Sequence, residues 1–151
     1  MNKINITVAN EKTNTGAKRK IAVFRKVSDV GEGQSAVAVS VQSIIGLTLS
    51  NVDESPLLLT REVDGRDGRI RLAGDFDEAV RTLARAVRGV AVFHKRTLDG
   101  RALPYAIPSD DIKSIDVSHR TGEALLKSYK REGSVLLAEA FDEAVRIWEA
   151  A

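Results

Sequence analysis

The sequence predicts an α+β protein built from an internally duplicated unit of about four antiparallel strands and one C-terminal helix. Three pairs of matching segments predict the duplication, and they follow one another in the same order in both halves. The pairs are residues 21–26 (IAVFRK) with 90–95 (VAVFHK), residues 43–50 with 111–118, and residues 76–81 with 141–146, both FDEAVR. A repeat of this length determines the architecture, so we expect the two copies to be related by a pseudo-twofold axis.

The length of the chain indicates that the two copies share one core. The whole sequence has 151 residues, the size of one ordinary domain, whereas a unit of about 65 residues is close to the lower limit for independent stability. We therefore predict a single domain over residues 1–151. Within it we expect a leading strand and basic loop at 1–19, repeat one at about 20–88 and repeat two at about 89–151.

Alternating apolar residues predict the strands at the start of each unit. Residues 3–9 alternate and indicate a leading strand, and Ile21, Val23 and Val27 alternate in the next one, which suggests that they face the interior. Phe24 and its counterpart Phe93 are then out of phase. They form either a second core layer or exposed platforms for base stacking, and the core interpretation is favoured.

Glycine-containing turns predict the hairpins that follow. Asp99-Gly100 is a strong hairpin signal, and residues 64–68 (DGRDG) separate two apolar runs in the first repeat. Residues 121–131 are ambiguous, because Thr121 could cap a helix there. The alignment with the first repeat favours a strand.

An amphipathic helix closes each unit. Phe76, Val80, Leu83 and Val87 recur at helical spacing, and Asp75 is the expected N-cap. Phe141, Val145 and Trp148 form the same stripe in the second unit. These two helices complete the predicted α+β arrangement.

The composition is typical of a soluble globular protein, with 43% hydrophobic and 29% charged residues. The absence of cysteine excludes disulfides, thiolate chemistry and cysteine-ligated zinc. No apolar run is long enough to span a bilayer, and the polar N-terminus lacks the apolar region of a signal peptide. We therefore expect a cytoplasmic protein.

The passages from glycine into each helix carry a resemblance to known families. Residues 68–80 and 133–145 both run from a glycine-led strand, GRIRL or GSVLL, into FDEAV. A duplicated sheet closed by one helix, covering roughly residues 20–150, is similar in layout to the Whirly and PUR-repeat families. The resemblance implies binding of single-stranded nucleic acid on the sheets and assembly into oligomers. The lysine-glycine-lysine strand motif of the Whirly family has no match, so no binding residue is carried over from it.

The distribution of charge indicates where nucleic acid would bind. Residues 1–26 hold seven basic residues and one acidic residue, although the net charge of the chain is only +2. Arg69 and Arg71 share one strand face because side chains alternate along a strand, and Arg61 lies across the hairpin. Tyr105 and Tyr129 are the preferred aromatic candidates for base contact. The predicted nucleic-acid-binding residues are Lys18, Arg19, Lys20, Arg25, Lys26, Arg61, Arg69 and Arg71.

Catalytic and metal-binding patterns are missing from the sequence. The two histidines, His94 and His119, lack metal-ligand spacing, and Ser118 and His119 are adjacent and point to opposite faces of a strand. We expect a non-enzymatic homo-oligomer that binds single-stranded DNA or RNA without a cofactor or a metal. The alternative is a structural or assembly subunit of phage type, because Trp148 near the C-terminus offers a large aromatic surface that a partner subunit could cover.

Overall fold

A computed structural model describes residues 20–28, 33–61 and 67–151 of the chain. The described part of the first half contains five strands and one helix, with a short 3₁₀ turn (Val41–Ser43) before the third strand. In chain order these are β1 (Ile21–Val27), β2 (Gln34–Ser40), β3 (Ile44–Leu49), β4 (Pro56–Arg61), β5 (Asp67–Arg71) and α1 (Phe76–Ala86). The predicted leading strand and basic loop at 1–19 lie outside the described residues.

The second half has the same order of elements, again with a 3₁₀ turn (Ser109–Asp111) before its third strand. The elements are β6 (Val90–Arg96), β7 (Ala102–Pro108), β8 (Ile112–Val117), β9 (Ala124–Ser128), β10 (Arg131–Leu136) and α2 (Phe141–Ala150). The α+β class with antiparallel sheets is confirmed, although each half has five strands instead of about four. The gene duplication itself stays a prediction.

One strand pairing joins the two halves. The strands form a two-stranded sheet (β1-β2), a three-stranded sheet (β10-β9-β8) and a five-stranded sheet in the order β5-β4-β3-β7-β6. The last contains strands of both halves because β3 pairs with β7, with Leu47 opposite Ala106 and Thr48 opposite Tyr105. We call this β3–β7 pairing the inter-half seam.

The buried faces of the first strands are set by aromatic residues. Phe24 and Phe93 are fully buried, each in a different core cluster, which confirms their core interpretation. The prediction that Ile21, Val23 and Val27 face inward is therefore wrong: they are 54%, 59% and 40% exposed. Since alternate residues point to opposite faces, burial of the larger phenylalanine leaves these three side chains outside.

The predicted turns and helix start are largely confirmed. Gly100 has a φ of 89° in the turn between β6 and β7, a conformation that suits glycine. Asp75 caps α1, since its carboxylate accepts a hydrogen bond of 2.8 Å from the backbone N–H of Glu78. Residues 124–128 form strand β9, so the strand interpretation of 121–131 is correct for that stretch. No helix in the described ranges has the length and apolarity needed to cross a membrane.

A largely buried lysine connects the halves a second time. Lys130, in the turn between β9 and β10, donates hydrogen bonds of 3.0 and 3.1 Å to the carbonyl oxygens of Val41 and Ile44 in the first half. Its amino group also lies 2.8 Å from Asp111 Oδ2, and the two side chains are only 14% and 16% exposed. We call this group the Lys130 clamp.

Candidate nucleic-acid interface

The end of β1 and the strand β5 bring three of the predicted basic residues together. Lys26, Arg69 and Arg71 line a half-open cavity of about 390 Å³, together with Val27, Ser28 and Ile70. The cavity forms here because Lys26 makes an isolated antiparallel bridge with Leu72, which directly follows β5. As strand alternation predicts, Arg69 and Arg71 are exposed while Leu72 is buried.

Arg71 is held in place by a local network. Its Nη1 lies 2.5 Å from both Asp53 Oδ2 and Ser55 Oγ, and the Ser55 hydroxyl donates to Asp53 Oδ1 at 2.7 Å. The Ser55 hydroxyl, followed by Arg71, lowers the pKa of the Asp53 carboxyl well below its usual range. The network therefore supports the turn between β3 and β4, with a contribution that is present above the ordinary aspartate pKa and is lost in strong acid.

The other predicted residues are dispersed. Arg25 forms an ion pair with Glu78, which ties β1 to α1, and its Nε lies 2.8 Å from Glu78 Oε2. Lys20 is exposed just before β1, and Arg61 is exposed at the end of β4. Lys18 and Arg19 lie outside the described residues. Of the predicted set, Lys26, Arg69 and Arg71 line one common cavity.

The second half contributes two cations that the sequence interpretation missed. Lys95 is half-buried in β6, and burial, followed by the positive charges of Arg131 and Arg69, lowers the pKa of its amine. Like charges placed close together are unfavourable unless an anion compensates them. We call Arg69, Lys95 and Arg131 the cationic cluster. The repeat itself contained a signal, because Lys95 is the counterpart of Lys26.

We expect Lys95→Met to raise the melting temperature. Because the pKa of Lys95 is lowered from 10.5 in the folded protein, the unfolded chain binds more protons between that lowered pKa and 10.5. The stability of the native sequence should therefore rise with pH across this window, and the methionine variant should lose that part of the rise. Thermal melts from pH 7 to 10 measure both effects, with exposed Lys113→Met as the control. A melting temperature that falls in Lys95→Met but not in Lys113→Met would contradict this account.

One exposed aromatic lies beside the cationic cluster. Tyr129 is 68% exposed and sits in the turn between β9 and β10, two residues before Arg131. Tyr105, the other aromatic candidate, is fully buried in the inter-half seam, so its predicted contact with a base is wrong. All aromatic residues of the chain lie in the described ranges, and among them Tyr129 alone is more than about a third exposed.

Neither a metal site among the described residues nor a similar protein assigns a function to this surface. Across residues 20–28, 33–61 and 67–151, no three histidine, aspartate or glutamate side chains form a group that could hold a metal ion. No protein-family model matches the chain, and neither the curated proteins nor the solved structures contain a significant match to it.

Proposed function

We propose that this protein is a non-enzymatic homo-oligomer that binds single-stranded nucleic acid. The cationic cluster carries the proposal: Arg69 of β5 and Arg131 of β10 lie near enough to Lys95 of β6 that their positive charges, after burial, lower the pKa of its amine, so cations of both halves form one basic surface. A phosphate backbone supplies a row of anions, and binding to it is rewarded by the release of counterions. The cavity lined by Lys26 and Arg69 adjoins this surface, and Arg71 of the same cavity is paired with Asp53.

The surface favours a flexible single strand that is held mainly by its phosphates. Base stacking on an aromatic side chain contributes about 1–3 kcal/mol per base, and Tyr129 offers one such platform next to Arg131. Because stacking is independent of sequence, and Tyr129 is the one well-exposed aromatic of the described residues, we expect weak binding with little sequence preference and strong dependence on salt.

Fluorescence anisotropy with a labelled 20-nucleotide single-stranded DNA tests the proposal. If three phosphates are neutralised, affinity should fall about 20-fold between 50 and 200 mM salt, because each contact adds about 0.7 to the logarithmic slope. Arg69→Ala should weaken binding and reduce the slope by about 0.7. Arg85→Ala, which removes an exposed charge from α1, is the matched control. Absence of binding at 50 mM salt, or equal losses in both variants, would overturn the proposed interface.

A structural or assembly role is the second candidate, and one observation favours it. The outer face of the β1–β2 hairpin exposes Ile21 and Val23 beside Ala38, an apolar surface with no charged group at these positions. Apolar surface of this kind on a soluble protein marks sites of contact with other proteins. If the protein does not bind DNA in the titration but is still oligomeric, the structural or assembly role becomes the favoured function.

A further inference from the structure

The inter-half seam combines a strand pairing with a helix contact. Besides the β3–β7 pairing, α1 packs against β1 and β3 of its own half and also reaches β6 and β7 of the other half. The core cluster around α1 accordingly contains Val90 of β6 and Ala106 of β7. In this seam β3 pairs with the edge of β7, and α1 packs on the outer face of the β6–β7 hairpin.

In the part of the chain that the structure describes, no strand or helix covers the matching hairpin of the first half in this way. Its register places Ile21 opposite Ser40, as Val90 stands opposite Pro108 in the second half, so Ile21 corresponds to Val90 and Ala38 to Ala106. Ala106 is fully buried, whereas Ala38 and Ile21 are exposed. Among the described residues, β2 pairs only with β1.

The surface that would cover this hairpin is also left open. By the repeat, β8 and α2 correspond to β3 and α1, yet β8 pairs only with β9 within the described ranges. Helix α2 packs on β6 and β8 of its own half, without comparable packing on β1 or β2 in the described residues. Trp148 of α2 corresponds to the fully buried Leu83 of α1 but is only partly buried. The chain therefore carries both surfaces that a second seam would need: the outer face of the β1–β2 hairpin, and the β8 edge together with α2.

We propose that a second copy of this chain closes the open seam, with its β8 edge and α2 covering the outer face of the β1–β2 hairpin. The inter-half seam shows that these two kinds of surface are complementary, since the corresponding residues already pack together within one chain. Each copy offers one surface of each kind, so the contact is heterologous and produces a closed ring or an open filament. This inference specifies the oligomer of the proposed function and is independent of nucleic-acid binding.

We attribute the absence of a second seam within one chain to a single Cβ atom, at the position of β8 that corresponds to Gly46 of β3. A Cβ on Gly46 of β3 would lie 2.6 Å from the carbonyl oxygen of Ala106, so the close β3–β7 approach depends on glycine. The corresponding residue of β8 is Ser114, and by the repeat we expect its Cβ to meet the carbonyl oxygen of Ala38 if the second seam closes within one chain. Within one chain the first seam already fixes the relative position of the halves. Two separate copies can shift apart slightly and keep their apolar contact.

The mass of the protein in solution tests the proposal directly. Light scattering coupled to size exclusion should give a mass of two or more chains at micromolar concentration. Ala38→Glu places a charge at the position whose counterpart Ala106 is fully buried in the inter-half seam, and it should lower the mass to that of one chain with an unchanged circular dichroism spectrum. Val52→Glu is the control, because it places the same charge on an exposed apolar residue in the turn between β3 and β4. A native protein that is strictly monomeric would overturn the proposal.

Cysteine cross-linking then identifies the surfaces, since the native chain has no cysteine. Leu47 stands opposite Ala106 in the first seam, and the corresponding residues are Ile115 and Ala38. Opposed residues of antiparallel strands have Cα atoms about 4.5–5.5 Å apart, and a disulfide spans up to about 6.8 Å, so the slight shift that Ser114 imposes still permits the cross-link. Mixing Ala38→Cys with Ile115→Cys should give a covalent dimer on oxidation. Failure of the mixture to cross-link would contradict the proposed contact. So would a chain carrying both Ala38→Cys and Ile115→Cys that forms its disulfide only within one chain. Neither outcome depends on whether the protein binds DNA.

Discussion

Replacement of Lys130 by methionine is expected to lower the free energy of unfolding by about 3–5 kcal/mol. The methionine fills a similar volume but removes the charge that compensates Asp111, whose Oδ2 is buried and makes no well-aligned hydrogen bond. It also leaves the carbonyl oxygens of Val41 and Ile44 without the hydrogen bonds that the amine donates. The loss should be visible in urea unfolding and as a fall of about 10 °C or more in the melting temperature.

Two further variants separate the buried charge from the loss of a lysine in general. Lys127 pairs with Asp116 at 3.4 Å, but both side chains are about half exposed, so Lys127→Met should cost no more than about 1 kcal/mol. The double variant Lys130→Met with Asp111→Leu removes both charges and should recover much of the stability. If Lys130→Met costs as little as Lys127→Met, the Lys130 clamp does not hold the halves together.

The repeated pattern was sufficient to predict the class and order of the elements. The match between the two halves correctly favoured a strand at residues 124–128, where local propensity also allowed a helix. The spacing of Asp75 before an apolar stripe correctly placed the start of α1. These features depend on residues that are close together in the sequence, so the sequence was sufficient to predict them.

Features that depend on contacts between distant strands were not predicted. The inward phase of β1 depends on which alternate set is larger, so Ile21, Val23 and Val27 were wrongly assigned to the interior, although a core position was favoured for Phe24. The burial of Tyr105 depends on the β3–β7 pairing, which lies between halves. Lys95 joins Arg69 and Arg131 only because the fold brings β6 near both. The proposed reason for the open seam is also a contact between distant strands, since it depends on one difference between the repeats, Gly46 against Ser114.

Substitution of Gly46 should therefore weaken the fold from its centre. Gly46→Ala is expected to cost about 1–3 kcal/mol, and Gly46→Val should exceed that range, because a Cβ at this position would lie 2.6 Å from a backbone oxygen of β7. Backbone atoms cannot rotate away as a side chain can. The clash between the new Cβ and this oxygen is therefore relieved only if β3 and β7 separate, at the place where Leu47 and Ala106 are fully buried.

Hydrogen exchange distinguishes this mechanism from ordinary local strain. In Gly46→Ala, the amides of β3 and β7 should exchange faster together, since both strands lose the seam at once. Gly100→Ala is the control: Gly100 has open space around its Cα and a positive φ, so its cost should stay within the turn between β6 and β7. Should Gly46→Ala leave both stability and exchange unchanged, the seam has room for a Cβ. Ser114 could then not account for the open β8 edge, and closure within one chain would be sterically allowed.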